Sequence, residues 1–153
     1  MSVRTILRPL TQDDRSIWQP LWDSYCAFYK VALPENVIDG LWYKLTGGDP
    51  ASHGMLAQNP DTGDAVGLMH YVLHPHTWSL KTVCYLEDLF VTEAARGQGV
   101  GRALIEWLAG KGREEGWFRL YWHTDEDNAT ARLLYDRVAG PATMVRYAIS
   151  LTK

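Results

Sequence analysis

"LFVTEAARGQGVGRAL", residues 89–104, places three glycines within five positions, between a strand-like segment and a helix-like one. Glycine in such a place costs roughly 0.5–1 kcal/mol more backbone entropy than alanine, so a role must offset that cost. A helix start has unpaired N–H groups and a partial positive charge, and glycines let successive amides approach an anion without an intervening Cβ. The stretch therefore predicts an anion-binding loop at a strand-to-helix turn.

Two common phosphate loops fit this pattern poorly. A nucleotide P-loop needs two glycines separated by four residues and followed by Lys and Ser or Thr, whereas Gly97 and Gly101 are separated by three residues and followed by Arg102 and Ala103. A dinucleotide fingerprint needs G-x-G-x-x-G after a βαβ start, and "GQGVG" has neither the spacing nor that context. A third type of loop is required.

"RGQGVG", residues 96–101, resembles the [Q/R]-x-x-G-x-[G/A] pyrophosphate loop of the GNAT superfamily of acyl-CoA-dependent N-acyltransferases. "CYLEDLFV" precedes the loop, and "NATARLLY" resembles the family's second cofactor segment, so the match runs from about Glu87 to Tyr135. The Leu/Glu/Asp run before the loop is similar to that of the small-molecule amine acetyltransferases of the polyamine and thialysine type. The sequence departs from the family at "AGPATM", where a Gly-Phe pair is frequent.

The resemblance implies acetyl-CoA as the co-substrate, bound between two splayed parallel strands, "LEDLFV" and "FRLYWHT". It implies that the backbone of the first strand binds the pantetheine arm and polarises the thioester, and that the glycine loop binds the pyrophosphate. The cofactor-binding residues it implies are Leu89, Phe90, Val91, Arg96, Gly97, Gln98, Gly99, Val100, Gly101, Arg102, Asn128, Ala131 and Tyr135.

The resemblance also assigns the chemistry of acetyl transfer to two residues. An alkylamine with a pKa of about 10.4 is charged at neutral pH, so a base must take its proton. Glu87 matches the family's amine-binding glutamate and is the predicted base, and Tyr135 matches the tyrosine that protonates the leaving thiolate. Glu87 and Asp88 are neighbours on a strand, so alternation predicts that only one of them faces the cleft. Glu87, Asp88 and Tyr29 are the predicted substrate-binding residues.

The rest of the chain predicts an α/β fold of one domain, residues 1–153. Spacings of three and four from Trp18 to Tyr29 indicate a helix to about Val31, started by a capping box of Thr11 and Asp14. The other segments predict a mixed sheet of about six to seven strands flanked by helices. The predicted strands are "RTILRPL", "MLAQN", "AVGLMHYVLH", "TVCYLEDLFV", "FRLYWHT" and "TMVRYAISL", and the further helices are "ENVIDGLWYKL", the segment after the glycines, and "NATARLLYDRVAG".

Composition limits the partners. A net charge of -3 argues against nucleic acid and fits a cationic acceptor. The start of the sequence does not have the apolar core of a signal peptide, and no apolar run is long enough for a membrane span, so we expect a cytoplasmic protein.

His70 and His74 lie about 13 Å apart on a strand, too far for one metal ion, and no metal is expected. Cys26 and Cys84 are interpreted as buried thiols.

Several alternatives stay open at this stage. The acceptor is predicted to be a small cationic amine, such as a polyamine, a diamine or an amino acid, but aminoglycosides and protein amino groups are also compatible with the pattern. A CoA-binding sensor without turnover is a different class, against which the presence of both Glu87 and Tyr135 argues. A homodimer is possible.

Overall fold

A five-stranded sheet forms the centre of the part of the chain that this computed structural model describes, residues 4–152. The strands are hydrogen-bonded in sequence order, and the first four are antiparallel while the last pair is parallel. They are β1 (Ile6–Pro9), β2 (Ser52–Gln58), β3 (Ala65–His74), β4 (Val83–Val91) and β5 (Arg119–Tyr121). The mixed sheet and the β2–β3 hairpin predicted from the sequence are confirmed.

Two units divide the chain, Met1–His123 and Thr124–Lys153. The first contains the sheet and the helices α1 (Arg15–Phe28), α2 (Glu35–Tyr43) and α3 (Val100–Glu115). The second contains α4 (Ala129–Ala139), whose N-cap Asn128 accepts a hydrogen bond from the Ala131 N–H at 3.2 Å. No helix of the described residues is long and apolar enough to cross a membrane.

α1 and α3 cover opposite faces of the sheet. Trp18, on α1, is completely buried in a cluster with Leu56 and Leu68. The neighbouring Gly67 faces the other way, since a Cβ there would lie 3.2 Å from Val100 Cγ1, on α3. The predicted amphipathic helix is therefore confirmed, and its tryptophans form much of the core on one side of the sheet.

A buried ion pair precedes α1. Both guanidinium N–H groups of Arg8 donate to the Asp14 carboxylate at 2.8 Å, and the Thr11 backbone N–H donates to it at 2.7 Å. These bonds, led by that from Arg8, lower the pKa of Asp14 to about 2. The predicted capping box of Thr11 and Asp14 is present, although the first turn is a 3₁₀ turn (Gln12–Asp14) and α1 proper starts at Arg15.

The sheet has fewer strands than the six to seven that the sequence predicts. Segment 143–151, predicted as the last strand, forms neither helix nor strand, and its large apolar side chains are exposed. The strand predicted at "FRLYWHT" is reduced to the three residues of β5. Alternation of apolar side chains shows that a segment can be a strand, but a strand also needs a hydrogen-bonding neighbour, and 143–151 has none among the described residues.

Helix ends also differ from the prediction. α1 ends at Phe28 rather than near Val31, because Lys30 has a positive φ of 57° that interrupts helical geometry. α2 ends at Tyr43, and the chain continues through a turn at Lys44–Gly48. This turn carries Lys44 to the site described below.

Candidate functional site

The parallel strands β4 and β5 separate soon after they meet. They pair from Val83 with Arg119 to Tyr85 with Tyr121, and β4 then continues for six residues to Val91 without a described partner on that side. The backbone of β4 from Leu86 to Val91 therefore has an open edge. The predicted splayed strands are present, and the predicted pantetheine-binding residues Leu89, Phe90 and Val91 lie on this open part.

The glycine loop leads from β4 into α3. Gly97 and Gly99 have φ values of 76° and 83°, in the left-handed region that favours glycine, and Gly99 is the N-cap of α3. A Cβ on either glycine would meet no atom within 4 Å, so the space in front of the loop is open. The first bond of the helix is Ala103 N–H to Gly99 O at 2.9 Å, which leaves the N–H groups of residues 100–102 without helical partners. These amides fit a pyrophosphate.

Two arginines flank the loop in different ways. Arg96 Nε donates to Val91 O at 3.1 Å, and its guanidinium lies over the Phe90 ring at 5.7 Å. Arg102 forms an exposed ion pair with Glu106, with Nε and Oε1 2.8 Å apart. Arg96 therefore ties the open end of β4 to the loop, whereas Arg102 pairs with Glu106 through Nε and keeps its terminal N–H groups exposed.

Glu87 is the extra residue of a bulge in β4. On β3, His70 pairs with Asp88 and the next residue, Tyr71, pairs with Leu86, so Glu87 has no opposite residue. A bulge interrupts strand alternation, and Glu87 and Asp88 line the same cavity. The expectation that only one of the two carboxylates faces the cleft is therefore wrong.

We call this space, of about 480 Å³, the carboxylate cavity. It lies between the sheet, α1 and the α2 region. Its walls are largely apolar, and its charged lining residues are Glu87, Asp88 and Lys44. The lining residues are Trp22, Leu33, Val37, Gly40, Leu41, Lys44, Leu45, Ser52, His70, Tyr71, Val72, Glu87 and Asp88.

The electrostatics of the carboxylate cavity favour a poised base. The pKa of Glu87 is raised above its usual 4.5, first by partial burial and second by the charge of Asp88, against the opposing effects of His70 and Lys44. A raised pKa makes the ionised carboxylate a stronger base. The side chain of Glu87 stays accessible, so it can receive a proton from a bound molecule.

Asp88 lies in a buried network that sequence reasoning missed. His70 is 2% exposed, its Nδ1 lies 3.0 Å from Asp88 Oδ2, and its Nε2 accepts a hydrogen bond from Trp18 Nε1 at 2.9 Å. The sequence drew attention to His70 only as a metal-ligand candidate. Its pairing with Asp88 depends on the register of β3 and β4, for which the sequence carries no local signal.

Two donors on residues that line the cavity differ in accessibility. Lys44 forms no ion pair with any described residue. Trp22 is 6% exposed, and its indole N–H is buried without a hydrogen-bond partner among the described residues. The exposed ammonium of Lys44 is therefore the charged donor that a ligand in the cavity can reach.

The remaining predicted site residues are less closely grouped. Tyr29 does not line the carboxylate cavity, but its ring lies 4.9 Å from that of Tyr25, a neighbour of Asp88. Asn128, Ala131 and Tyr135 are on or next to α4, in the second unit. The roles of these three residues stay predictions. Cys84 is buried and Cys26 half-buried, both as free thiols.

Comparison with known proteins identifies the relatives of this arrangement. A family model described as "Acetyltransferase (GNAT) family" matches residues 11–140. A D-amino-acid N-acetyltransferase of Saccharomyces cerevisiae is 37% identical over 144 residues, which cover 94% of this chain and 89% of that protein.

Solved structures agree on the fold. The crystal structure of a probable acetyltransferase has a TM-score of 0.87 at 24% identity, covering 97% of this chain and 99% of that one. That of a ribosomal-protein-alanine N-acetyltransferase from Brucella melitensis biovar Abortus 2308 has a TM-score of 0.80 at 24% identity, covering 97% of this chain and all of the other. At such identities the likeness concerns the fold alone.

Proposed function

The chain belongs to the acetyltransferase (GNAT) family and is an acetyl-CoA-dependent N-acetyltransferase, and we propose that its acceptor is a small primary amine, specifically an α-amino acid. One observation carries the proposal. β4 lines the carboxylate cavity at Glu87 and Asp88 and, directly after them, presents an open edge at Leu89–Val91. An amine held by the carboxylates would then lie beside a thioester bound along that edge.

We propose that acetyl-CoA is bound by two parts of the first unit. The open edge of β4 offers backbone groups to the pantetheine arm, and the amides of residues 97–102 bind the pyrophosphate. When bound, acetyl-CoA supplies an acyl group activated as a thioester. The implied contacts of Asn128, Ala131 and Tyr135 belong to the same proposal.

A matched pair of glycine substitutions tests the loop. Gly99 and Gly63 both have a positive φ, 83° and 77°, and both have open space where a Cβ would stand. Gly99→Val and Gly63→Val therefore strain the backbone alike, but only the first places a side chain in the proposed pyrophosphate site. Calorimetry should show at least tenfold weaker CoA binding for Gly99→Val alone. Unchanged affinity in the folded variant would remove the loop from the proposal.

Glu87 acts as the base in this scheme. At neutral pH, removing a proton from an alkylammonium costs on the order of 4–5 kcal/mol. Glu87 takes that proton directly or through water, and the neutral amine nitrogen then bonds to the carbonyl carbon. As the carbon–sulfur bond breaks, the nitrogen loses its second proton to water and becomes the amide nitrogen. The thiolate leaves and is protonated, a role we assign to Tyr135. Asp88 holds the ammonium until the proton moves.

Lys44 and the relative's substrate support the α-amino acid. A simple amine needs only the two carboxylates, whereas an amino acid also needs a cation for its own carboxylate, and Lys44 lines the same cavity. The relative of 37% identity is named as acting on D-amino acids, a substrate class with both groups.

A panel of paired acceptors tests the proposal. Each amino acid, as both enantiomers, is paired with the amine that lacks its carboxylate, such as phenylalanine with phenethylamine, and thiol release from acetyl-CoA is measured. Lys44→Met should lower kcat/KM for the amino acid about tenfold or more and leave that for the matched amine within about twofold. Lys111→Met, outside the cavity, is the control. Preference for polyamines, aminoglycosides or peptide amino groups would exclude the amino-acid acceptor.

The assembly and location predicted from the sequence, a homodimer in the cytoplasm, are also part of this proposal. The exposed apolar side chains after α4 support self-association. Light scattering and cell fractionation test the two statements separately.

A further inference from the structure

The hydrogen bonds of His70 have only one possible direction. The Trp18 indole N–H can only donate, so His70 Nε2, at 2.9 Å, must accept and carries no proton. A neutral imidazole then has its proton on Nδ1, which faces Asp88 Oδ2 at 3.0 Å and donates to it. Trp18 therefore fixes the tautomer of His70, and His70 in turn requires Asp88 to accept.

A second donor approaches the same carboxylate. The pKa of the Tyr25 phenol is raised, first by burial and then by the charge of Asp88 and a hydrogen bond to it. The raised pKa keeps the phenol protonated and able to donate. Asp88 is thus held by donors from α1 and β3 while still lining the carboxylate cavity.

We propose that His70 is a positioning residue of the acceptor site: held by Trp18 as the neutral Nδ1–H tautomer, it fixes the Asp88 carboxylate in the orientation that binds the acceptor's ammonium group. This inference rests on the proposed function. It separates the roles of two adjacent carboxylates, since Glu87, unpaired in the bulge, stays free to take the proton.

Charged and titratable groups from three elements surround His70. The titratable or charged groups that face it are Asp88 and Glu87 from β4, Tyr25 from α1 and Lys44 from the turn after α2. The Trp22 ring packs 5.0 Å from the imidazole. A proton on Nε2 would face the Trp18 N–H and break that hydrogen bond, so this arrangement selects the tautomer with its proton on Nδ1.

Two substitutions of nearly equal size separate positioning from packing. In His70→Asn the side-chain amide can replace Nδ1–H as the donor to Asp88, whereas His70→Leu removes the donor at almost the same volume. His70→Leu should raise the KM of the acceptor amine about tenfold or more, with the KM of acetyl-CoA unchanged. His70→Asn should stay within about threefold of the unsubstituted chain. Equal acceptor KM values for the two variants would overturn the proposal.

A measurement without turnover tests the tautomer directly. Histidine labelled with ¹⁵N in the full chain should show one of the five imidazoles, absent in His70→Asn, with its proton on Nδ1 and none on Nε2. Saturating acceptor amine should shift its Nδ1 resonance through Asp88. The inference would be contradicted if His70 carried its proton on Nε2, or if its Nδ1 resonance did not shift when the amine was added. Absence of thiol release with these shifts present would instead refute the proposed function.

Discussion

Glu87 and Asp88 show how one backbone irregularity changes the chemistry of two residues. In a regular strand the two carboxylates would face opposite sides of the sheet, and one would be lost to the site. The bulge opposite His70 and Tyr71 puts both in the carboxylate cavity, where the charge of Asp88 raises the cost of ionising Glu87. The raised pKa of Glu87 follows partly from this proximity.

We predict that Glu87→Gln lowers kcat/KM for the acceptor by about 10² to 10⁴ near neutral pH, because it keeps the shape of the side chain but removes its basicity. The base works only when ionised. Because its pKa is raised above 4.5, activity of the unsubstituted enzyme should fall on acidification at a higher pH than for an ordinary glutamate. Initial rates from about pH 5 to 10 measure both effects.

Controls for this prediction lie in the same unit. Glu114→Gln changes an exposed glutamate of α3 outside the cavity and should leave the rates unchanged. Asp88→Asn should act mainly through the KM of the acceptor. Full activity in Glu87→Gln together with a rate loss in Asp88→Asn would make Asp88 the base.

The sequence predicted residues whose roles depend on local chemistry. Gly97 and Gly99 stand where positive φ is needed, and the type of residue alone indicates this. His70 was not predicted, because its role depends on lying opposite Asp88, eighteen positions away in the chain. The bulge at Glu87 was missed for the same reason, since pairing register is a property of two strands together.

At the scale of elements, the turn before α1 is determined by residues that are close together in the sequence. Thr11 and Asp14 have the spacing of a capping box, and Arg8 at the end of β1 adds a bidentate ion pair to the same carboxylate. Short-range patterns of this kind predicted α1, α3 and α4 well. The same patterns predicted a strand at 143–151 that does not form and a strand longer than the three residues of β5. A strand forms only where a neighbouring strand supplies hydrogen bonds, which a local pattern does not show.

We predict that Asp14→Asn lowers the free energy of unfolding by about 2 kcal/mol at pH 7. The folded pKa of Asp14 is about 2, below the usual 3.8, so its contribution is complete above about pH 4. It is lost as the pH falls towards 2, because the carboxylate is then protonated in both states. Urea unfolding at several pH values should show the difference narrowing over that interval.

The neighbouring Asp13 supplies the control. It lies in the same 3₁₀ turn but is exposed, so Asp13→Asn should change the free energy of unfolding by less than about 0.5 kcal/mol. If the gap between Asp14→Asn and the unsubstituted chain were independent of pH, packing rather than charge would account for the stabilisation.

At the scale of the whole molecule, the two units differ in how they bury apolar surface. The first has a core on both faces of its sheet, including Trp18, Leu68 and Leu104. In the second, α4 has no fully buried residue, and the chain after Gly140 exposes a series of large apolar side chains. Exposed apolar surface of this extent is typical of a segment that packs against another molecule.

Large apolar residues alternate with other residues along the segment 143–151, and this pattern identifies the residues of the exposed apolar surface. Val145, Tyr147, Ile149 and Leu151 occupy every second position and are 79%, 93%, 86% and 92% exposed. In an extended segment, side chains at every second position lie on one face, as they do on a β-strand that packs against another sheet. In such an extended segment the residues between them, such as Ser150, would lie on the opposite face.

We therefore predict that this face joins two copies of the chain, and that one charge on it prevents the association. Light scattering of the full chain should give about twice the protomer mass of 17.4 kDa. Ile149→Lys should give the protomer mass, because burying an unpaired ammonium in an apolar interface is costly, whereas Ser150→Lys, on the opposite face, should leave the dimer intact. A full chain that stays monomeric at high concentration, or a dimer that tolerates Ile149→Lys, would contradict the prediction. The sheet itself should keep its thermal stability in both variants, since its core contains no residue from this segment.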